Sequence, residues 1–207
     1  MKTLIVKKGE ELEAARILSN RTDDDFDAVD ATVKEVIARV RAEGDDALYY
    51  YSEKFGGPGK AETGPLRVTE EELEEAYRSV EPEVTAALEL AAENIRSFHE
   101  KQLQKTWSYT KGDNIILGQL IVPIQNVGVY VPGGTAAYPS SVLMNVIPAK
   151  IAGCPRIVMC SPAGKDGKIS KYILAAAKIT GADEIYKTGG AQGIAALAYG
   201  TESVPRV

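Results

Sequence analysis

A single histidine, two cysteines and one tryptophan are all that these 207 residues hold of those types. One histidine, His99, cannot build a zinc site alone, and no cysteine or carboxylate cluster supplies partners at ligand spacing. Zinc hydrolase and Cys–His hydrolase chemistry are therefore set aside. Cys154 and Cys160, with five residues between them, fit neither a disulfide framework nor a zinc ribbon. Positive charge is also short. A net charge of −5 leaves no Lys and Arg excess to neutralise phosphates, which argues against nucleic acid as a partner. No apolar run approaches the length of a bilayer span, which argues against a membrane protein. The basic start Met1-Lys2-Thr3 runs through Lys7-Lys8 into Gly9-Glu10-Glu11 without an apolar core segment. It does not read as a signal peptide, and a cytoplasmic location is expected.

What is present is an ordinary globular balance, with 44% hydrophobic and 26% charged residues. The acidic runs Asp23-Asp24-Asp25 and Glu70-Glu71-Glu72 precede helical patterns and read as first-turn charges favoured by the helix dipole. From Asp23 to about Tyr109 the grammar is helical. Phe26, Val29, Val33, Ile37 and Val40 recur at steps of three and four, and Gly44 ends that stripe. A shorter helix follows through Leu48, Tyr51 and Phe55. Thr69 with Glu72 is a capping-box signature before Leu73 and Ala76. The longest stripe is Val84, Leu88, Ala91, Ile95, Phe98 and Gln102.

Near Ile115 the grammar changes. Asn114 to Val122 is β-rich, a strand or hairpin leading to Pro123. Strands are expected at Val127–Val131, Arg156–Cys160 and Glu184–Tyr186. Helices are expected at Ser140–Ala152, Ile169–Thr180 and Ala191–Tyr199. Three strand-then-helix units imply a parallel sheet with right-handed crossovers, an open, doubly wound dinucleotide-type α/β layout. Ser203-Val204-Pro205-Arg206-Val207 reads as the approach to a further strand, and the chain is expected to be cut there.

In such sheets ligands bind beyond the carboxyl ends of the strands. The first loop there, Val131 to Ser140, contains Gly133-Gly134. Adjacent glycines admit a ligand to the backbone, and the helix that follows, capped by Ser140 or Ser141, offers free N–H groups. The loop Lys187 to Gly193 resembles a Gly-x-Gly-x-x-Gly fingerprint with Thr188 in place of the first glycine and Gly190 and Gly193 in register. Gln192 stands at the start of its helix, within reach of a ribose, an amide or neighbouring backbone. Cys154 and Cys160 read as buried structural thiols, since neither has an activating base nearby in sequence.

Several long strings closely resemble the histidinol dehydrogenase family. They are Val127-Gly128-Val129-Tyr130-Val131-Pro132-Gly133-Gly134-Thr135-Ala136, Ser140-Ser141-Val142-Leu143-Met144 and Pro148-Ala149-Lys150. Gly189-Gly190-Ala191-Gln192 and Gly200-Thr201-Glu202-Ser203-Val204-Pro205 continue the match. In the helical half it is carried by Gly44-Asp45-Asp46-Ala47-Leu48 and Asn94 to Glu100. The resemblance covers the chain from about residue 25. It implies an NAD-dependent homodimer with bound zinc that oxidises L-histidinol to L-histidine through the aldehyde. It further implies paired Rossmann-like domains of aldehyde dehydrogenase-like outline, with residues 1–24 an extension. Residues 25–122 would be the first, mainly helical part of a discontinuous domain, and 123–207 a truncated Rossmann-like NAD-binding domain.

Tyr130 and Gln192 match family NAD-binding positions, with Gly133 and Gly134 as further candidates. A third contact, an asparagine in a Gly-Pro-Gly-Asn string, is expected after Val207. The family's catalytic Glu-His pair, zinc ligands and most substrate contacts have no match here, so the chain is expected to hold no catalytic or metal residues and to be inactive alone. Two competing readings are a standalone nucleotide-binding or interaction module on the same scaffold, and an aldehyde dehydrogenase-like enzyme with Cys160 as nucleophile.

Overall fold

The computed structural model describes residues 6–19, 26–133 and 137–207. Two compact units are distinguished along the chain, Met1–Glu35 and Val36–Val207. The first holds helix α1 (Glu11–Ser19) and the beginning of α2 (Phe26–Glu43), where Lys34 pairs with Asp30 one turn away. Helix α1, with Glu11 and Glu13 in its first turn, falls in the stretch expected only as an extension. The Asp23-Asp24-Asp25 run lies outside the described residues.

The second unit continues with α3 (Asp45–Lys54), α4 (Lys60–Thr63), α5 (Glu70–Ser79) and α6 (Pro82–Glu100). Thr69 and Glu72 close the capping box that their spacing predicts. The Thr69 hydroxyl accepts from the Glu72 N–H at 3.1 Å, and the Glu72 carboxylate accepts from the Thr69 N–H at 2.9 Å. The expected stripes are buried in part. Val40, Leu88 and the unanticipated Val36 are buried, whereas Val29 and Phe98 are exposed.

Helical structure does not extend to Tyr109. Trp107–Lys111 is strand β1, paired antiparallel with β2 (Ile115–Gln119), so that Tyr109 faces Leu117 across the ladder. The reason lies in Trp107, Tyr109 and Thr110, which are strand formers just before the Gly112-Asp113 turn.

Then follow β3 (Asn126–Tyr130), α7 (Pro139–Ile151), β4 (Arg156–Cys160), α8 (Lys171–Thr180), β5 (Glu184–Tyr186) and α9 (Gly190–Tyr199). The three strands are parallel in the order β3-β4-β5, as the alternation of strand and helix predicts. Ser203–Val207 forms no strand; the Val207 N–H instead donates to the Leu197 carbonyl.

Alternate residues of the strands enter two cores. Val129, Ile157, Met159 and Ile185 pack with α7, α8 and Leu88 of α6. Val158, Cys160 and Tyr186 pack with α9 and with Leu48 and Tyr51 of α3. Each large side chain buried this way stabilises the fold by roughly 1.5–3 kcal/mol. The outer edge of β5 is closed by the segment before α5. Val68 N–H donates to the Ile185 carbonyl at 2.9 Å, and Lys187 N–H to the Leu66 carbonyl at 2.7 Å. This antiparallel bridge carries the start of α5 to the carboxyl end of β5.

Candidate functional site

The carboxyl ends of the three strands lie level. Tyr130 stands opposite Cys160, and Cys160 opposite Tyr186. The ladder continues one step further, with Val131 N–H donating to the Cys160 carbonyl and Ser161 N–H to the Tyr186 carbonyl. Beyond that row three loops converge on Pro162. A β-carbon at Gly133 would sit 3.0 Å from the Pro162 ring, and one at Gly189 2.7 Å from it. The two glycines therefore admit Pro162 between the loops after β3 and β5, a close approach that the Gly-rich pattern alone does not reveal. Gly134 lies outside the described residues. Helix α7 begins at Pro139, not at a serine cap: Tyr138 is the N-cap, no side chain caps it, and Ser140 and Ser141 belong to the first turn. Proline is pre-set for that first helical position.

At the start of α9 two positions of the glycine fingerprint have clear physical reasons. Gly190 has φ of 60°, where a β-carbon would also meet the Gln192 side chain at 2.8 Å. Gly193 lets the helix close on β4, where its β-carbon position is 3.4 Å from Cys160 Sγ. The N-cap is Gly189, which offers no capping side chain, so the first N–H groups of α9 lack helical partners.

Three buried side-chain oxygens have no hydrogen-bond partner among the described residues: Ser161 Oγ, Thr188 Oγ1 and Gln192 Oε1. Ser161 follows β4 directly, Thr188 is two residues past β5, and Gln192 is in the first turn of α9. An unsatisfied buried polar atom costs roughly 1–3 kcal/mol, so each of the three calls for a polar partner from outside the described residues. Tyr130, half-buried, packs against the α9-side core. The family resemblance singles out Tyr130 and Gln192, and the glycine fingerprint notes Thr188 only as a replacement for its first glycine; Ser161, directly after β4, is not singled out.

A cavity of about 540 Å³ opens beside these loops, reached by Gly133, Pro162, Ser170, Lys187 and Glu72. Lys187, its side chain only 7% exposed, donates to Glu72 Oε1 at 2.5 Å. Burial raises the Glu72 carboxyl, but the Lys187 ammonium and the Thr69 N–H outweigh it and hold it below its ordinary range.

The nucleophile reading of Cys160 finds no support in its surroundings. The thiol is fully buried, and burial pushes its pKa up to about 12. Cys154 is buried as well. His99 holds Gln102 through Nδ1 at 2.7 Å, on α6. Among the described residues no three His, Cys, Asp or Glu side chains gather as a metal site. No helix of the described residues is long and apolar enough to cross a membrane.

The histidinol dehydrogenase family model matches residues 19–207. The chain is 50% identical over 189 residues to histidinol dehydrogenase of Heliobacterium mobile, covering 91% of this chain and 44% of that protein. It is 48% identical over 207 residues to the Methanocaldococcus jannaschii enzyme, covering 99% and 48%. The crystal structure of histidinol dehydrogenase from Elizabethkingia anophelis superimposes with a TM-score of 0.81 at 34% identity, over 90% of this chain and 42% of that one. The chain thus spans a little under half the length of these relatives. With a match along nearly its whole length and the same fold in a solved member, the chain belongs to the histidinol dehydrogenase family.

Proposed function

We propose that these residues form part of the NAD site of an L-histidinol dehydrogenase that converts L-histidinol to L-histidine through the aldehyde, in histidine biosynthesis. The observation that supports this most is the trio of unpartnered oxygens on Ser161, Thr188 and Gln192. They lie at the end of a parallel sheet where dinucleotides bind in such folds. Their donor and acceptor character fits the cofactor. Gln192 Oε1 accepts from an amide or hydroxyl, the Ser161 and Thr188 hydroxyls donate or accept a hydrogen bond, and the open N–H groups of α9 suit a pyrophosphate. Tyr130, the last residue of β3, is assigned to the same site, with Gly133 and Gly134 as further candidates.

When bound, NAD supplies the acceptor for the hydride leaving the carbinol carbon. The residues of this chain bind and orient; none of them is assigned the role of general base. Zinc, implied by the family resemblance, finds no fitting set of side chains among the described residues, and no step is routed through it. Residues 123–207 serve as the Rossmann-like NAD-binding domain and 25–122 as the first part of a discontinuous partner domain. The active species is a cytoplasmic homodimer in which the remaining half of the enzyme supplies base, metal ligands and substrate contacts.

Calorimetric titration of the purified protein with NAD, followed by incubation with L-histidinol, NAD and zinc, tests this reading. Saturable NAD binding without NADH formation is the expected result. Absence of NAD binding by the folded protein overturns the cofactor assignment, and NADH formation overturns the assignment of catalysis to residues outside this chain.

A further inference from the structure

The cavity beside the strand ends carries an ion pair, buried at its lysine and half-buried at its carboxylate, that the NAD reading leaves without a role. Lys187 is the residue after β5, and its ammonium has three N–H donors, of which one goes to Glu72. Glu72 comes from α5, brought there by the Leu66–Val68 bridge to β5. Its carboxylate takes Lys187 on one oxygen and the Thr69 N–H on the other, which leaves lone pairs on both. Two donors and further acceptor capacity thus stand side by side in the wall of a cavity of about 540 Å³.

The remaining lining decides what such a pair would meet. Ionised side chains balance, with Glu72, Glu75 and Asp166 against Lys168, Lys171 and Lys187. Of the other two lysines, Lys171 is already held by Glu81 and the Ser79 carbonyl, each at 3.0 Å, and Lys168 is exposed. The cavity therefore has no spare buried cation for a dianionic group. Its apolar surfaces, from Val68, Ala76, Ile169 and Leu174, suit a flat ring system, and its size is ordinary for a nucleoside-sized ligand.

A vicinal diol matches the pair, because each hydroxyl both donates and accepts: one proton goes to the carboxylate while the oxygens accept from the ammonium. In dinucleotide folds the ribose diol is usually met by an acidic residue at the end of the second strand. Here the glycine fingerprint follows β5, and no strand follows α9 among the described residues, so no described carboxylate stands at that position. We propose that the Glu72–Lys187 pair takes the adenosine ribose diol of the dinucleotide in this cavity and selects NAD over NADP. This rests on the NAD reading above. Glu72 is the selecting group, since a 2′-phosphate would be set against its carboxylate. Lys187 holds that carboxylate in place and donates to the ribose.

Calorimetric titration of the protein with NAD and with NADP, in the wild type, Glu72→Gln and Lys187→Met, tests the proposal, with thermal melts reporting the fold. The wild type is expected to bind NAD about tenfold or more tightly than NADP, a difference of about 1.4 kcal/mol. Glu72→Gln keeps a group for the Thr69 cap and is expected to narrow the ratio to about threefold or less. Lys187→Met removes a donor but leaves the carboxylate, so it weakens NAD about tenfold and keeps or widens the preference. Opposite movements of the ratio separate this role from a purely structural one. Each variant is read by itself, so loss of fold in one leaves the other decisive. An unchanged ratio and NAD affinity in a folded variant overturns the proposal and leaves the NAD reading standing. No NAD binding by the folded wild type overturns that reading and the proposal with it.

Discussion

The Asp45 carboxylate accepts a hydrogen bond from the Thr201 hydroxyl at 2.6 Å, across 156 positions of sequence. Asp45 also accepts from the Ser203 hydroxyl at 2.5 Å and its N–H at 3.3 Å, while the Asp45 N–H donates to Glu202 Oε2 at 2.8 Å. Gly44 makes room for this knot, since a β-carbon there would lie 2.1 Å from Glu202 Oε2. The turn after α9 is thereby tied to the first residues of α3. Two strings that resemble the family separately, Gly44–Leu48 and Gly200–Pro205, form one structural unit.

Asp45→Ala removes the acceptor for three donors and a favourable first-turn charge. It is expected to cost about 1–3 kcal/mol, read as a lower urea midpoint at unchanged slope. Thr201→Val, which deletes one donor, should cost less. Equal stability of Asp45→Ala and wild type would show that the knot is solvated and adds nothing.

The thiols provide a second test. Cys160 is fully buried with its pKa pushed up to about 12, so at pH 8 it should not react with an aromatic disulfide reagent in the native state. Denaturant should expose both thiols to rapid reaction. Fast modification of native Cys160 would revive the nucleophile reading.

Much of this was legible in sequence, for local reasons. The Thr69–Glu72 capping box and the three strand-then-helix units each depend on neighbours within a few residues, and the spacing of side chains reveals them. Helix α1, the short α4 and strand β1 were not. Trp107 and Tyr109 have strand preference, but the helical run before them hides the change of period. In the site, Gly133 and Gln192 could be singled out because adjacent glycines and a helix start mark them, whereas Tyr130 is marked only by the family resemblance. The Glu72–Lys187 contact could not, because 115 residues separate the partners and only the Leu66–Val68 bridge brings them together.

Alkaline conditions should destabilise the fold. Burial, then the hydrogen bond to Glu184 and its charge, push Tyr186 up to about 12 from an ordinary 10.0; burial pushes Cys160 from 9.0 to about 12. Both folded-state values are raised, so the protonated forms contribute stability that is fully present below the unfolded values. That stability is lost as pH climbs from about 9 towards 12. Melting temperature is expected to fall through that window, and Tyr186→Phe should make the fall shallower. A flat profile to pH 12 would contradict the burial of this pair.

We propose that Tyr130 and Gln192 hold NAD at the carboxyl ends of the parallel strands. The most direct measurement is the NAD dissociation constant of wild type, Tyr130→Ala and Gln192→Ala, each checked for native melting. Both variants are expected to bind NAD about tenfold or more weakly, as loss of one buried polar or aromatic contact implies. Native-like variants with unchanged NAD affinity would contradict the claim and place the cofactor elsewhere.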